Sequence, residues 1–254
     1  MSSTYTPRPG AAPLPRQVLA QAVMESRLML RNGEQLLLAV VIPVVVLIGG
    51  VKGAQHLGLE FAHRPVDVFV PGVLALAVMS TAFTSLAIAT GFERRYGVIK
   101  RLGSSPLPRS GLLLGKVGAL LLVEALQIVV ISLVGLALGW RPHASPVAAL
   151  LSIVAGTAAF AALGLLVAGV LRAEATLAAA NLVYLLLMVG GAVVLPSSAY
   201  GSFGAITRLL PSGALGDGLR EAFWSGGIRW TSLLVLVVWA AAGAVLTART
   251  FKWE

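Results

Sequence analysis

The stretch GFERRYGVIKRLGSSPLPRSGLLLGK, Gly91 to Lys116, interrupts a chain that is otherwise mostly apolar. It contains six Lys or Arg residues, one Glu and two Pro, and long apolar runs lie directly on both sides of it. Basic residues concentrated between two apolar runs are typical of a loop that joins membrane-spanning helices. The stretch therefore predicts a polar connection between two spans of a membrane protein.

The composition of the whole chain agrees with a bilayer location. Of 254 residues, 57% are hydrophobic and 11% charged, and the mean hydropathy is +0.90, which lies outside the usual balance of soluble domains. Each of six apolar stretches is about long enough to cross a hydrocarbon core. They cover 35–51, 69–91, 111–139, 146–171, 176–195 and 231–248. We expect an all-α polytopic protein with a cytoplasmic segment over 1–34 and a six-span domain over 35–254.

The distribution of charge argues against nucleic acid as a partner. The net charge of +9 comes from Lys and Arg residues scattered between apolar runs, whereas nucleic-acid binding needs a contiguous basic patch. The chain has no Cys, so a thiol nucleophile and a disulfide framework are excluded.

The basic residues predict the orientation of the chain, because cytoplasmic loops retain more Lys and Arg. One set of loops and ends holds Arg8, Arg16, Arg27, Arg31, Arg94, Arg95, Lys100, Arg101, Arg109, Arg172, Arg249 and Lys252. The other set holds Lys52, Arg64, Arg141, Arg208, Arg220 and Arg229. We therefore expect a multi-pass membrane protein with both termini in the cytoplasm.

The segment before the first span, RQVLAQAVMESRLMLRNGEQ, predicts an amphipathic helix on the membrane surface. Its apolar residues lie among charged ones: Val18, Val23, Leu28 and Leu30 alternate with Arg16, Glu25, Arg27 and Arg31. A plain helical extension of the first span is the alternative.

The opening stretch itself has a helical pattern. Phe92, Tyr96 and Ile99 recur at i, i+4 and i+7, which predicts a short helix, Glu93 to Leu102, with one apolar and one charged face. Gly103 is expected to end it, and two prolines then enforce a stiff turn. Such a protrusion suits a protein partner; a solvated loop with topology-setting charges is the alternative.

The run ERRYGVIKRLGSSPLPR, Glu93 to Arg109, followed by Gly115 and Lys116, resembles the signature of the type-2 ATP-binding-cassette (ABC) exporter permeases. The six spans, the N-terminal amphipathic segment and a long external segment before the last span also match that family's plan. The resemblance implies that Glu93–Leu102 is a coupling helix that docks on an ATPase. The residues expected to act in this coupling are Glu93, Arg94, Arg95, Tyr96, Gly97, Ile99, Lys100, Arg101, Leu102, Pro106 and Pro108.

The same resemblance implies a location in the bacterial plasma membrane, and it implies the partners. Two separate ATPase subunits would hold ATP and Mg²⁺, and a second permease, identical or homologous, would complete the complex among membrane lipids. This chain lacks a phosphate-binding loop of its own, because GLLLGKVG has the wrong glycine spacing. We expect no catalytic, cofactor or metal site in this chain, which would be a transporter subunit and not an enzyme.

Three polar residues within the spans are candidates for a substrate path or for the bundle interior, since an ionisable group in hydrocarbon is costly. Lys116 is expected to extend its ammonium to the headgroups. Glu124, about two turns further along, is too far for a direct pair with it. Glu124 either holds spans together with Gln127 nearby or lines the path, and Asn181 is a further candidate for the interior.

The long segment Pro196 to Trp230 asks for structure of its own. Leu215, Leu219 and Phe223 recur at i, i+4 and i+8, which predicts a short amphipathic helix in the outer membrane interface. Trp224 and Trp230 would be its interfacial anchors.

Two other functions compete with an exporter subunit. An intramembrane hydrolase is disfavoured, because His56, His63 and His143 all fall in predicted external loops, away from any serine at membrane depth. An ion- or proton-coupled carrier or channel could instead use Glu124. For an exporter, apolar walls and only 7% aromatic residues favour a lipophilic or amphipathic cargo, such as a drug or lipid, over a sugar chain.

Overall fold

A computed structural model of the chain describes residues 12–31, 33–98, 108–143 and 145–251. These residues form helices and contain no strand. The α-helices are α1 Leu14–Arg31, α2 Gly33–His56, α3 Pro65–Met79, α4 Leu86–Arg95, α5 Arg109–Ala137, α6 Pro146–Val170, α7 Ala173–Gly190, α8 Gly204–Thr207, α9 Pro211–Trp224 and α10 Trp230–Thr250. A π-helical turn, Ser80–Ser85, joins α3 to α4, and a 3₁₀ helix, Ser197–Phe203, precedes α8.

Six of these helical segments are long and apolar enough to cross a membrane, which confirms the predicted all-α class and the number of spans. Their apolar segments are Ala39–His56, Pro65–Arg95, Leu114–Ala137, Pro146–Val170, Ala173–Gly190 and Trp230–Thr250. The second span, which combines α3, the π-helical turn and α4, extends beyond the predicted range 69–91 at both ends.

The second span is the centre of the fold. It packs against α2, α5, α6, α7 and α9. Within its apolar segment 72% of the residues are buried, compared with 17% in the fifth and in the sixth span. Its sequence is apolar on all sides between Val68 and Met79, as expected for a helix with neighbours all round. The second span therefore contacts most of the other helices of the bundle.

A helix is present in the predicted N-terminal segment, from Leu14 to Arg31, and it packs on α5. The closest approach is at Gly115, where a Cβ atom would lie 2.6 Å from Cγ of Gln21. Only glycine permits this contact without displacement of α1. The placement of α1 on the membrane surface stays a prediction.

The helix predicted in the long segment before the last span is also present, as α9, but its environment differs from the expectation. Leu215, Leu219 and Arg220 are fully or almost fully buried, because α9 is inserted among α3, α6 and α10. Trp224 is fixed there: its Nε1 donates to the carbonyl of Asp67 at 2.8 Å, and its ring stacks on His63. The helix therefore belongs to the core of the bundle, and its depth at the outer membrane interface stays a prediction.

Candidate functional site

The second span ends inside the sequence stretch that was singled out for coupling. Glu93, Arg94 and Arg95 form the last turn of α4, and Tyr96 and Gly97 then make a turn in which Gly97 has φ of 67°. This left-handed backbone conformation, which favours glycine, ends the helix. The expectation of one helix from Glu93 to Leu102 is therefore wrong in its first part: these residues continue the second span and stop before Gly97.

The remaining coupling candidates are divided between the described and undescribed parts of the chain. Ile99, Lys100, Arg101, Leu102 and Pro106 lie outside the described residues. Pro108 is exposed and immediately precedes α5 in an extended conformation.

Lys116 is buried at the centre of a three-helix junction. Its Nζ lies 2.6 Å from Oε1 of Glu93 on α4 and 3.0 Å from Oε1 of Glu25 on α1. Only 5% of the lysine is exposed, so the expectation that it extends to the headgroups is wrong. Two carboxylates satisfy the ammonium inside the protein, and the junction ties α1, α4 and α5 together.

Arg94 connects the same end of the second span to the fourth. Its guanidinium donates to the carbonyls of Ala168 at 2.7 Å and of Gly169 and Leu171 at 2.5 Å each. These carbonyls end α6 and have no partner within their own helix, and a cation is favoured there by the helix dipole. No sequence pattern indicates these bonds, because their acceptors are backbone groups more than seventy residues away.

Arg95 extends the connection to the fifth span. It forms an exposed ion pair with Glu174 in the first turn of α7 and lies 5.8 Å from the ring centre of Tyr96. Glu93, Arg94 and Arg95 thus contact three other helices among them, α5, α6 and α7. Lys116 links Glu93 to the fourth, α1, through its second ion pair with Glu25. We call this region the Lys116 end of the bundle. It comprises Glu25, Glu93–Arg95, Lys116, the end of α6 and the start of α7.

Glu124 lies deeper in the bundle and bridges the third and fourth spans. Its Oε2 accepts a hydrogen bond of 2.8 Å from the hydroxyl of Thr157, and only 2% of the residue is exposed. It forms no bond with Lys116, in agreement with the prediction, and Gln127 is not its partner either. The arrangement supports the interpretation that Glu124 holds spans together, with a different partner from the one expected.

Gln127 has its own network one turn further along α5. It accepts a hydrogen bond from Thr81 of the π-helical turn at 2.9 Å and donates to the carbonyl of Ala39 at 2.8 Å. The side chain is fully buried. A single amide therefore joins the first, second and third spans, and it does so where the second span departs from regular α geometry, a feature frequent at functional positions.

Asn181 does not lie in the bundle interior. It is exposed on α7, and its Nδ2 donates to the carbonyl of Leu177 in its own helix. Its placement in the interior is therefore wrong. It borders a groove of about 260 Å³ between the first, second and fifth spans, whose lining is Ala39, Ile42, Pro43, Ser80, Thr84, Ser85, Ile88, Asn181 and Tyr184.

The other end of the bundle contains a second buried cation. Arg220 of α9 is 1% exposed and donates to the carbonyls of Val193 at 2.8 Å and Val194 at 2.5 Å. Asp217 accepts a further bond from it at 3.3 Å. Burial lowers the pKa of Arg220 to about 10, and the neighbouring Asp217 carboxylate counteracts part of this effect. The guanidinium therefore remains protonated at neutral pH.

The arrangement is that of a membrane bundle in which charged side chains join one end of the central span to the neighbouring helices. A family model described as ABC-2 family transporter protein matches residues 65–249, and the chain belongs to that family of membrane transport proteins. The match begins at the first residue of α3 and ends within α10. No curated protein sequence matches the chain significantly.

Proposed function

We propose that this chain is the permease subunit of an ABC exporter, driven by ATP hydrolysis on separate ATPase subunits. The observation that supports this most is the Lys116 end, where the last turn of the buried second span contacts α5, α6 and α7 and is linked to α1 through Lys116. A force applied to that turn would reach most of the bundle, because interiors are close-packed and transmit strain.

The docking surface would continue from Arg95 through the stretch that follows. Arg95 and Tyr96 are exposed, and Ile99 to Leu102 follow them with two more basic residues. A basic and partly apolar segment suits a groove with an acidic rim. Two permeases and two ATPases would form the complex, and ATP with Mg²⁺ would bind only to the ATPases.

The cargo would be lipophilic or amphipathic. The groove beside Asn181 offers hydroxyl and amide groups on walls that are otherwise apolar, a combination that suits a drug or lipid with a few polar groups. The first, second and fifth spans that form it could separate as the two permeases alternate between inward-open and outward-open arrangements.

The test uses the complete transporter with its ATPase in proteoliposomes. Arg95→Glu should leave membrane insertion and ATP hydrolysis intact but lower transport per ATP hydrolysed at least about tenfold, since it places an acid against an acidic rim. Arg141→Glu, an exposed change at the other end of the bundle, is the matched control. Equal transport by both variants, or full transport driven by a proton gradient without any ATPase, would refute the proposal and favour a carrier.

A further inference from the structure

The two faces of α1 differ in charge as well as in burial. The inner face, which includes Gln21 and Glu25, packs towards α5, and Glu25 is the sole acidic residue of the helix. That carboxylate forms an ion pair with Lys116. The outer face is exposed, and it carries only apolar and cationic side chains. Its members are Arg16, Leu19, Ala20, Val23, Met24, Arg27, Leu28 and Arg31.

The outer face is strongly apolar between its arginines. Leu19 is 64% exposed and Leu28 60%, and exposed leucines on one helix face are unfavourable in water. The three guanidiniums form no ion pair with any carboxylate of the described residues. An occupant must therefore supply both apolar surface and negative charge.

The packing of α1 indicates the depth of this face. Gly115 and Lys116, which contact Gln21 and Glu25, lie about two turns into α5, which begins at Arg109 directly after the basic stretch, at the start of the apolar run of the third span. The middle of α1 is thus held level with the boundary of a membrane-spanning segment. At that depth the neighbouring molecules are lipids, with acyl chains beside leucine and phosphates within reach of arginine.

We infer that the outer face of α1 is a binding surface for anionic phospholipids. Leu19, Val23 and Leu28 contact the acyl chains, and Arg16, Arg27 and Arg31 bind the headgroup phosphates. Zwitterionic lipids supply the same apolar contact but carry no net negative charge, whereas an anionic leaflet attracts each basic side chain at its surface. The inference depends on α1 and α5 alone and not on the proposed transport function.

The absence of cysteine from the chain permits a direct test with one fluorescent label. The full-length Ala20→Cys variant carries bimane on the outer face and is reconstituted into nanodiscs of phosphatidylglycerol and phosphatidylcholine, with only one of the two lipids brominated at a time. Brominated phosphatidylglycerol should quench the label about twofold more than brominated phosphatidylcholine at equal mole fraction, because the anionic lipid is enriched beside the helix.

The matched variants decide whether the arginines cause the enrichment. Replacing Arg16, Arg27 and Arg31 by Gln should bring the quenching ratio close to one, while replacing Arg64, Arg141 and Arg229 at the other end of the bundle should leave it unchanged. Equal quenching by both lipids in the parent protein would overturn the anionic preference. No quenching by either lipid would overturn the lipid contact altogether and favour a protein partner on this face.

Discussion

The two ends of this bundle each bury a cation, and they satisfy it in different ways. Lys116 has two carboxylate partners, Glu25 and Glu93, on two other helices. Arg220 has one carboxylate partner, Asp217, one turn away in its own helix, and two backbone carbonyls, of Val193 and Val194. The Lys116 network joins three separate helices, whereas the Arg220 network joins groups within one short part of the chain.

This difference indicates what each end is able to do. If α1 or α4 moves away from Lys116, the other carboxylate still neutralises the ammonium, so the lysine keeps a partner in either case. Every partner of Arg220 lies within residues 193–220, and separating them leaves a buried charge unpaired, at a cost of several kcal/mol. The Lys116 end is suited to movement between helices, and the Arg220 end to a fixed shape.

The largest effect is expected at the fixed end. Arg220→Ala removes a buried guanidinium and leaves Asp217 and two carbonyls without their donor, so the free energy of unfolding should fall by about 3–5 kcal/mol. Denaturant titration of the purified protein in detergent measures it, with exposed Arg141→Ala as the control. A loss as small as that of the control would mean that water replaces the guanidinium and that the end is not rigid.

The next effect concerns the Lys116 junction. Lys116→Met leaves two carboxylates facing one another without a cation and should cost about 3 kcal/mol in the same titration. The exchange Glu25→Lys with Lys116→Glu keeps one lysine and two acids in the cluster, so it should recover more than half of that loss. Exposed Lys52→Met is the control. Failure of the exchange to recover stability would show that the pairing is specific to this geometry and not transferable between helices.

A smaller effect is expected at Arg94, which bonds only to carbonyls. Arg94→Gln removes three charge-assisted donors from the end of α6, where water can reach in their place, so we expect a loss of about 1.5–2 kcal/mol. Hydrogen exchange of the last turn of α6 should rise in parallel. Unchanged exchange there would contradict the role of Arg94 in joining the second and fourth spans.

The smallest effect is expected at Arg95. Its pair with Glu174 is exposed on both sides, and such pairs contribute less than about 1 kcal/mol. Arg95→Gln should therefore leave the free energy of unfolding almost unchanged. If Arg95→Gln keeps its stability while Arg95→Glu loses transport per ATP hydrolysed, Arg95 acts in docking and not in the stability of the fold. A large loss of stability in Arg95→Gln would contradict a role confined to docking.

Apolar periodicity and length located six spans and both amphipathic helices, because a bilayer requires about twenty apolar residues in a row whatever their neighbours. Local pattern also located the charged stretch after the second span. It misplaced Lys116 and Asn181, since the exposure of a side chain on an apolar helix depends on which face meets the bundle, and adjacent faces of these helices are equally apolar.

The sequence by itself therefore determined the class of this protein, the number of its spans and the position of its basic stretch, all of which follow from local hydropathy and charge. Only the tertiary structure decided that Glu25 and Glu93 meet at Lys116, that Arg94 bonds to the end of α6 and that α9 is buried. The partners in these contacts are backbone carbonyls or distant residues, so their energies depend on packing geometry that no local pattern encodes.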